Sequence, residues 1–202
     1  MRVTAIQKQV KNTDRYSVYI DGEYSFSLSS SALLGSGLAV NDELSSAHVS
    51  QLKEKSAQDK LYSAVLALIA RRMRSKWEIE QYLKRKQVDE DRSKDILNTL
   101  SDQKYIDDRV FAEAWVRNRR LLKMVSFRKL RLELLAKHVS NEIIEEVLRS
   151  DETNETYVLV ELVRKKRSQS RYQDDQKLMQ YLTRQGFSYS DVKDALRQVG
   201  ED

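Results

Sequence analysis

A chain of 202 residues without cysteine excludes a disulfide framework, a thiolate zinc site and a cysteine nucleophile. Its 36 basic and 31 acidic residues give a net charge of +5, and a sequence that is 33% charged and 40% apolar favours helices with a large exposed surface. Proline is absent, no apolar run reaches the length of a membrane span, and the N-terminus lacks the apolar core of a secretory signal, so we expect long helices in a cytoplasmic protein.

The N-terminal residues predict a small antiparallel sheet. Residues 15–20 and 23–28 both alternate polar and apolar side chains, as half-buried strands do. Asp21 and Gly22 between them tolerate the positive φ angles of a type I′ turn, so the two runs are predicted to form a hairpin. Residues 3–10 supply a candidate third strand. We therefore assign residues 1–45 to an N-terminal β-hairpin extension.

From residue 46 onward the sequence predicts helices in a threefold repeat, with a capping box at Ser75 and Glu78. Similar residues recur at offsets of about 50, and each repeat has a residue suited to a helix N-cap at the same place. The matching positions are Tyr82-Leu83, Leu134-Leu135 and Tyr181-Leu182; Val88, Val139 and Phe187; Leu97, Leu148 and Leu196; and the caps Asp89, Ser140 and Ser188. We predict a mainly α-helical protein in which three tandem three-helix repeats, at 46–104, 105–151 and 152–202, form a curved, elongated array.

The segment YIDDRVFAEAWVRNRR, at residues 105–120, has the features of one helix in that array. Asp107 and Asp108 offer an N-cap and a negative first turn, and Phe111 and Trp115 lie on one apolar face. Arginines crowd its C-terminal end, where the helix dipole favours positive charge. We assign the two aspartates and the two aromatic residues to the fold.

The excess positive charge lies entirely in the helical part. Residues 1–56 contain six basic and six acidic residues, and 30 basic and 25 acidic residues follow them. Five basic clusters occur in succession: Arg71, Arg72, Arg74 and Lys76; Lys84, Arg85 and Lys86; Arg117, Arg119, Arg120 and Lys123; Arg128, Lys129 and Arg131; and Arg164, Lys165, Lys166 and Arg167. A single cluster is compatible with an ordinary solvated face, whereas five favour a polyanion or an acidic protein groove as partner.

The sequence offers no constellation of catalytic residues. His48 and His138 do not have a metal-ligand spacing, and no glycine-rich phosphate loop is present. The pair Asp107 and Asp108 is a poor magnesium site because the helix dipole is positive at an N-terminus. We therefore predict a protein without enzymatic activity, metal or cofactor.

Two stretches carry a resemblance to a known family. ARRMRSKWEIEQYLKRK, at residues 70–86, and YIDDRVFAEAWVRNRR, at residues 105–120, resemble the corresponding segments of the RecX family of recombination regulators. The resemblance extends from residue 57 to about residue 199, and the hairpin resembles the N-terminal extension of longer family members. The order of the motifs, their spacing and the threefold repeat carry this similarity together.

The chain departs from the family pattern at two places in its second repeat. Ser126-Phe127 replaces a usual Gly-Pro, and Lys137-His138-Val139 replaces a usual Lys-Gly-Ile. Ser126 still suits an N-cap, whereas His138 must adopt a left-handed φ or end its helix differently.

The resemblance implies a non-enzymatic regulator in DNA repair, homologous recombination and the SOS response. Such proteins bind the filament of RecA recombinase on single-stranded DNA and lower its ATPase, strand-exchange and coprotease activities. For this chain we expect a monomer whose basic side chains contact either the acidic surface of the filament or the single-stranded DNA within it; the sequence leaves both open. The candidate contact residues are Arg71, Arg72, Arg74, Arg117, Arg119, Arg120, Lys129 and Arg131.

A second function remains open at this point. Three-helix units resemble helix-turn-helix modules, so the chain could regulate by binding duplex DNA directly, with the hairpin as a wing. The spread of basic residues over several units argues against it, because a recognition helix concentrates them in one. A third function class, a scaffold that only binds another protein, is also compatible with the sequence.

Overall fold

The structure is a computed structural model that describes residues 1–200, in two compact units divided after Arg72. The first unit contains a three-stranded antiparallel sheet and two helices. Its elements are β1 (Val3–Lys8), β2 (Arg15–Ile20), β3 (Glu23–Ser29), α1 (Ser30–Ser36) and α2 (Ser46–Arg71), with the strands in the order β1-β2-β3.

The predicted hairpin and third strand are confirmed. Asp21 and Gly22 join β2 to β3 with φ angles of 51° and 88°, the positive values that a type I′ turn requires. Buried side chains of the sheet, among them Val18 and Leu28, pack with Leu52 of α2. The hairpin is therefore stabilised by the helix beside it.

A buried ion pair fixes the sheet to α2. Arg15 of β2 is 6% exposed, and its guanidinium lies 3.0 Å from the Asp59 carboxylate of α2. Asp59 also accepts hydrogen bonds from the N–H and the hydroxyl of Ser29, at 2.8 and 2.5 Å. Arg15 donates to the Ser27 carbonyl at 2.9 Å, so the charged groups keep their hydrogen bonds inside the unit.

The second unit, from Met73 onward, is built of helices. Its elements are α3 (Lys76–Arg85), α4 (Glu90–Asp102), α5 (Asp108–Lys123), α6 (Phe127–Leu135), α7 (Asn141–Arg149), α8 (Glu155–Arg167), a 3-10 turn (Ser170–Tyr172), α9 (Asp175–Arg184) and α10 (Tyr189–Gly200). In chain order, α2–α4, α5–α7 and α8–α10 confirm the predicted three-helix repeats, the helix α2 of the first unit being the first helix of the first repeat. The helices α5–α7 enclose one core and α8–α10 enclose another. The predicted capping box of Ser75 and Glu78 is present at the start of α3.

The second helix of each repeat ends in the same backbone corner. A residue in the left-handed region stops the helix, and the N–H of the following apolar residue donates back to the carbonyl of a buried leucine, as in a Schellman motif. The left-handed residues are Gln87 (φ 57°), His138 (φ 56°) and Gly186 (φ 93°), and the apolar residue and leucine pairs are Val88 and Leu83, Val139 and Leu134, and Phe187 and Leu182.

The corners settle two details of the sequence analysis. His138 adopts the left-handed φ that its position between Lys137 and Val139 requires. The sequence analysis matched Tyr82-Leu83 with Leu134-Leu135, which is wrong by one residue. The hydrogen bonds of the corners show that Leu134 is the equivalent of Leu83. Leu134 is fully buried, whereas Leu135 is 38% exposed.

The predicted caps follow each corner. Asp89, Ser140 and Ser188 accept hydrogen bonds from the N–H groups of Arg92, Ile143 and Asp191, at 2.9, 3.4 and 3.1 Å. One short segment thus ends the second helix and starts the third in every repeat.

Gly186 is required at its corner for two reasons. Its φ of 93° is unfavourable for a residue with a Cβ, and a Cβ at this position would lie 2.2 Å from the Ser126 hydroxyl. We expect Gly186→Ala to destabilise the second unit by about 2–5 kcal/mol, the sum of a left-handed penalty and overpacking. Urea unfolding followed by tryptophan fluorescence measures this unit, because Trp77 and Trp115 both lie in it.

Gly200→Ala is the matched control for that measurement. Gly200 lies in α10 of the same repeat, and no atom lies within 4 Å of the position that an added Cβ would occupy. Its free energy of unfolding should change by less than about 0.5 kcal/mol. Equal effects of the two substitutions would contradict the role given to Gly186.

Candidate partner-binding surface

The first and second repeats meet where the start of α3 lies on the corner after α6. The Trp77 indole stacks on the His138 imidazole, with ring centroids 4.3 Å apart and planes 17° from parallel. Beside this stack, Lys137 Nζ donates to Glu78 Oε1 at 3.0 Å. Glu78 therefore serves twice, because its side chain also belongs to the capping box of α3.

The second and third repeats meet in the same way. The N–H and the hydroxyl of Ser126, at the start of α6, both donate to the Gln185 carbonyl in the corner after α9, at 3.2 and 3.0 Å. Lys129 Nζ lies 3.4 Å from the Arg184 carbonyl. The start of a second helix thus lies on the corner of the following repeat at both junctions.

The Asp107 and Asp108 pair acts in the fold, as predicted. Asp107 caps α5 by accepting from the N–H groups of Arg109 and Val110. Asp108 Oδ1 accepts from the Lys76 N–H at 2.8 Å, which joins the starts of α5 and α3. Burial raises the pKa of the Asp108 carboxyl above its ordinary value, although this hydrogen bond favours the charged form.

Arg119 belongs to a cluster built around Trp115. The Trp115 Nε1–H and the Arg119 Nε–H donate to the same Glu133 oxygen, at 2.8 and 2.6 Å. The Arg119 guanidinium lies over the indole, 4.6 Å from its centroid, and Lys137 Nζ lies 5.5 Å from it. Trp115 also packs against the core of its repeat, so its indole is a structural element, as predicted.

Arg120 is held still more closely within the repeat. Its side chain is 12% exposed; it pairs with Asp151 at 2.8 Å, donates to the Val125 carbonyl at 2.5 Å and lies over the Phe127 ring at 4.5 Å. These contacts connect the end of α5 to the start of α6 and to the segment after α7. Arg120 therefore stabilises the connections between three helices.

The ion pair of Arg120 and Asp151 affects the pKa of the Asp151 carboxyl. Burial opposes the charged carboxylate, but hydrogen bonds from Thr153 and Arg120 outweigh it and lower the pKa of Asp151 below its ordinary value. The neighbouring Glu155 accepts from the Phe127 N–H at 3.0 Å, and burial raises the pKa of its carboxyl. The charged form of the carboxylate is therefore favoured at Asp151, before α8, and disfavoured at Glu155, the first residue of α8.

The eight candidate contact residues do not form one set. Arg71 and Arg72 end the first unit and are exposed, Arg74 is partly buried, and Arg117 is exposed on α5. Arg131 pairs with Glu145, and Lys129 is partly buried at the junction between repeats. Arg119 and Arg120 serve the fold through the contacts described above. Arg71 and Arg117 are the candidates most available to a partner.

The junctions are the features that the sequence analysis did not identify. The stacking of Trp77 on His138 was not predicted. One sequence feature could have indicated the two junctions: Ser75 and Ser126 occupy equivalent positions, 51 residues apart, in the first and second repeats. Both cap a second helix, and both are fully buried. A buried serine at a helix start indicates that another element covers it.

Two kinds of feature are absent from residues 1–200. No group of three or more His, Cys, Asp or Glu side chains is arranged to hold a metal ion there. None of the helices in that part of the chain is both long and apolar enough to cross a membrane.

Comparison with protein families gives four consecutive matches. Residues 1–45 match the regulatory protein RecX N-terminal domain, and residues 62–100 match the first RecX three-helix domain. Residues 107–148 match the second three-helix domain and residues 157–196 match the third. Most of the chain is therefore covered by domains of one family.

Individual proteins show the same similarity. The chain is 29% identical to "Regulatory protein RecX" of Clostridium botulinum, covering 98% of this chain and 96% of that protein. It is 30% identical to the Bacillus subtilis protein of the same name, covering 98% and 76%. A solved structure titled "Crystal structure of regulatory protein RecX" superposes with a TM-score of 0.69 at 28% identity, covering 96% of this chain and 98% of that one.

We expect Arg120→Ala to destabilise the second unit by about 2–3 kcal/mol, because it leaves the largely covered Asp151 carboxylate, 11% exposed, without its cation. Arg117→Ala, on the same helix but exposed, should change the free energy of unfolding by less than about 0.5 kcal/mol. Urea unfolding followed by tryptophan fluorescence compares the two. If Arg120→Ala is as stable as the wild type, Arg120 does not stabilise the fold and is again a candidate for contact with the partner.

The same ion pair predicts a pH dependence. Because the folded-state pKa of Asp151 is lowered from 3.8, its contribution to stability is present above that value and is lost as pH falls through the folded pKa. Asp151→Asn should therefore be less stable than the wild type at pH 7, and the gap should close in acid.

Urea unfolding of both proteins between about pH 7 and pH 3 measures this gap. The raised pKa values of Asp108 and Glu155 act in the opposite direction, since their protonated forms favour the folded state. Both proteins retain these carboxyls, and the charge of Asp151 is the smallest of the causes that raise the pKa of Glu155. A gap that stays constant across the range would contradict the prediction.

Proposed function

Because the chain belongs to the RecX family of regulatory proteins, we propose that it is a non-enzymatic regulator that binds the RecA filament on single-stranded DNA. In this proposal the bound protein lowers the filament's ATPase, strand-exchange and coprotease activities. The observation that carries it is the run of four family domains along most of the chain, from residue 1 to residue 196. We propose further that it acts in the cytoplasm as a monomer and needs no cofactor.

The repeat architecture supports binding to a polymer. Three similar helical modules joined by similar junctions can contact successive subunits of a filament, each contact being weak. Once one module is bound, the others bind at the high effective concentration that the connection provides, so modest contacts combine into tight binding. A polymer of identical subunits is a natural partner for such a repeated surface.

The charge distribution supports an anionic surface on that partner. We propose that Arg71 and Arg117 make direct contacts and that Arg72, Arg74, Lys129 and Arg131 add further positive charge, each within its own unit. Arg119 and Arg120 act through the fold, since Glu133 and Asp151 occupy their guanidinium groups. The anionic groups are carboxylates of the filament or phosphates of its DNA, and contacts to both weaken with salt.

The first experiment is the steady-state ATPase rate of RecA on single-stranded DNA with this protein added below stoichiometry. We expect a fall in rate at a small ratio of protein to RecA, because one bound molecule affects many filament subunits. Arg71→Glu combined with Arg117→Glu should shift the inhibitory concentration upward by about tenfold, with the shift increasing at low salt.

Lys60→Glu combined with Lys193→Glu supplies the matched control, because both lysines are exposed and lie outside the candidate surface. An unchanged ATPase rate, together with tight binding of wild-type protein to duplex DNA alone, would replace the proposal with the helix-turn-helix regulator. Inhibition that survives reversal of Arg71 and Arg117 would place the contacts elsewhere on the chain.

A further inference from the structure

A cleft of about 310 Å³ lies between the second and third repeats. It is bounded by the end of α5, by α8 and by α9. The lining residues are Leu121, Leu122, Lys123, Met124, Leu162, Lys165, Lys166, Tyr181 and Gln185. This set combines three cationic side chains with an apolar floor, and none of the described lining residues carries a carboxylate.

The rim of the cleft carries two exposed leucines beside its lysines. Leu121 and Leu122 stand next to each other at the end of α5, and each is 76% exposed. Below them, Leu162 is 3% exposed and packs in the core of the third repeat. Adjacent exposed leucines leading to a buried one indicate a surface that another apolar group covers.

The lysines define the charge of that group. Lys123 and Lys165 are exposed in the last turns of α5 and α8. Lys166 lies over the Tyr181 and Tyr172 rings, 4.9 and 5.4 Å from their centroids, so it is held at the cleft by the third repeat. An occupant that satisfies these cations carries carboxylates or phosphates.

The aromatic residues argue against nucleic acid as the occupant. Sites for single-stranded nucleic acid offer ring faces on which bases stack. Here Tyr181, the aromatic residue lining the cleft, is covered by Lys166 and packs against Tyr172 at 5.0 Å. The exposed leucines instead match an apolar side chain of a protein.

We propose that this cleft binds a segment of the partner protein in which acidic residues flank a bulky apolar side chain. The apolar side chain lies between Leu122 and Leu162, and the acidic residues pair with Lys123 and Lys165. Leu121 also borders a neighbouring cavity that Arg117 lines, so the cleft continues the surface of the proposed function. The inference rests on that function and names the chemistry of the contact.

Site-specific photocrosslinking tests the occupant. The photoreactive residue p-benzoylphenylalanine replaces Leu122 in the full chain, which is irradiated with RecA filaments on fluorescently labelled single-stranded DNA. We expect an adduct with a RecA peptide whose acidic residues adjoin the attachment point. The same replacement at Leu34, which is 83% exposed on α1 and lies outside both the cleft and the candidate contact residues, should give little or none of that adduct.

Each other outcome decides against the inference in a distinguishable way. An adduct with the labelled DNA would assign the cleft to nucleic acid. If the protein inhibits the filament but gives no RecA adduct at position 122, the cleft does not bind the partner, and the proposed function is unaffected. Failure of the unsubstituted protein to bind or inhibit filaments would overturn the proposed function, and the inference would fall with it.

Charge substitutions provide a second readout. Lys123→Glu combined with Lys165→Glu should weaken filament binding by about tenfold, and the arginine pair at the same positions should restore it. Lys104→Glu combined with Lys193→Glu changes the same charge outside the cleft and should stay within about twofold of wild type. If both glutamate proteins lose the same affinity for the filament, the loss is due to net charge, and the proposal that this cleft binds the partner is wrong. Unfolding curves for each protein verify that the fold is intact.

Discussion

The polar backbone groups at helix ends constrain this structure more than any single side-chain contact. A three-helix repeat of about 50 residues has several helix ends close together, and their free N–H and C=O groups need partners. The chain meets this need with one corner used three times: a left-handed residue, an apolar residue returning to a buried leucine, and a capping side chain. In the second and third repeats the corner also provides the surface on which the preceding repeat lies.

The basic residues divide between two roles that sequence patterns do not separate. Arg119 and Arg120 are adjacent and belong to one cluster, yet each is paired with a carboxylate on another segment and lies over an aromatic ring. Arg117, on the same helix, is exposed. The positive charge of α5 is therefore partly used to assemble the second repeat and partly presented to solvent. Removing a charge from the first group tests folding, and removing one from the second group tests binding.

Local signals made most of the fold predictable. The Asp-Gly turn and the caps Ser75, Asp89, Ser140 and Ser188 depend on neighbours a few residues away, and they were identified from the sequence, whereas for His138 the sequence left open a left-handed φ or a different helix end. The internal partners of Arg119 and Arg120 were not, since Glu133 and Asp151 lie 14 and 31 residues further on in other segments. The stacking of Trp77 on His138 was missed for the same reason. The cleft between α5, α8 and α9 likewise exists only once two repeats are packed, although its lysines were recognised as clusters.

The junctions between repeats have a direction. Each junction joins the start of the second helix of one repeat to the corner that ends the second helix of the following repeat. The corner after α3, which is rich in lysine and arginine, and the start of α9, with Asp174 and Asp175, therefore form no such junction and lie at the two ends of the series. Such a series has two chemically different ends and no internal twofold symmetry. If the repeats bind successive subunits of a polymer whose subunits all point the same way, as we propose, the two orientations of the chain on that polymer are not equivalent.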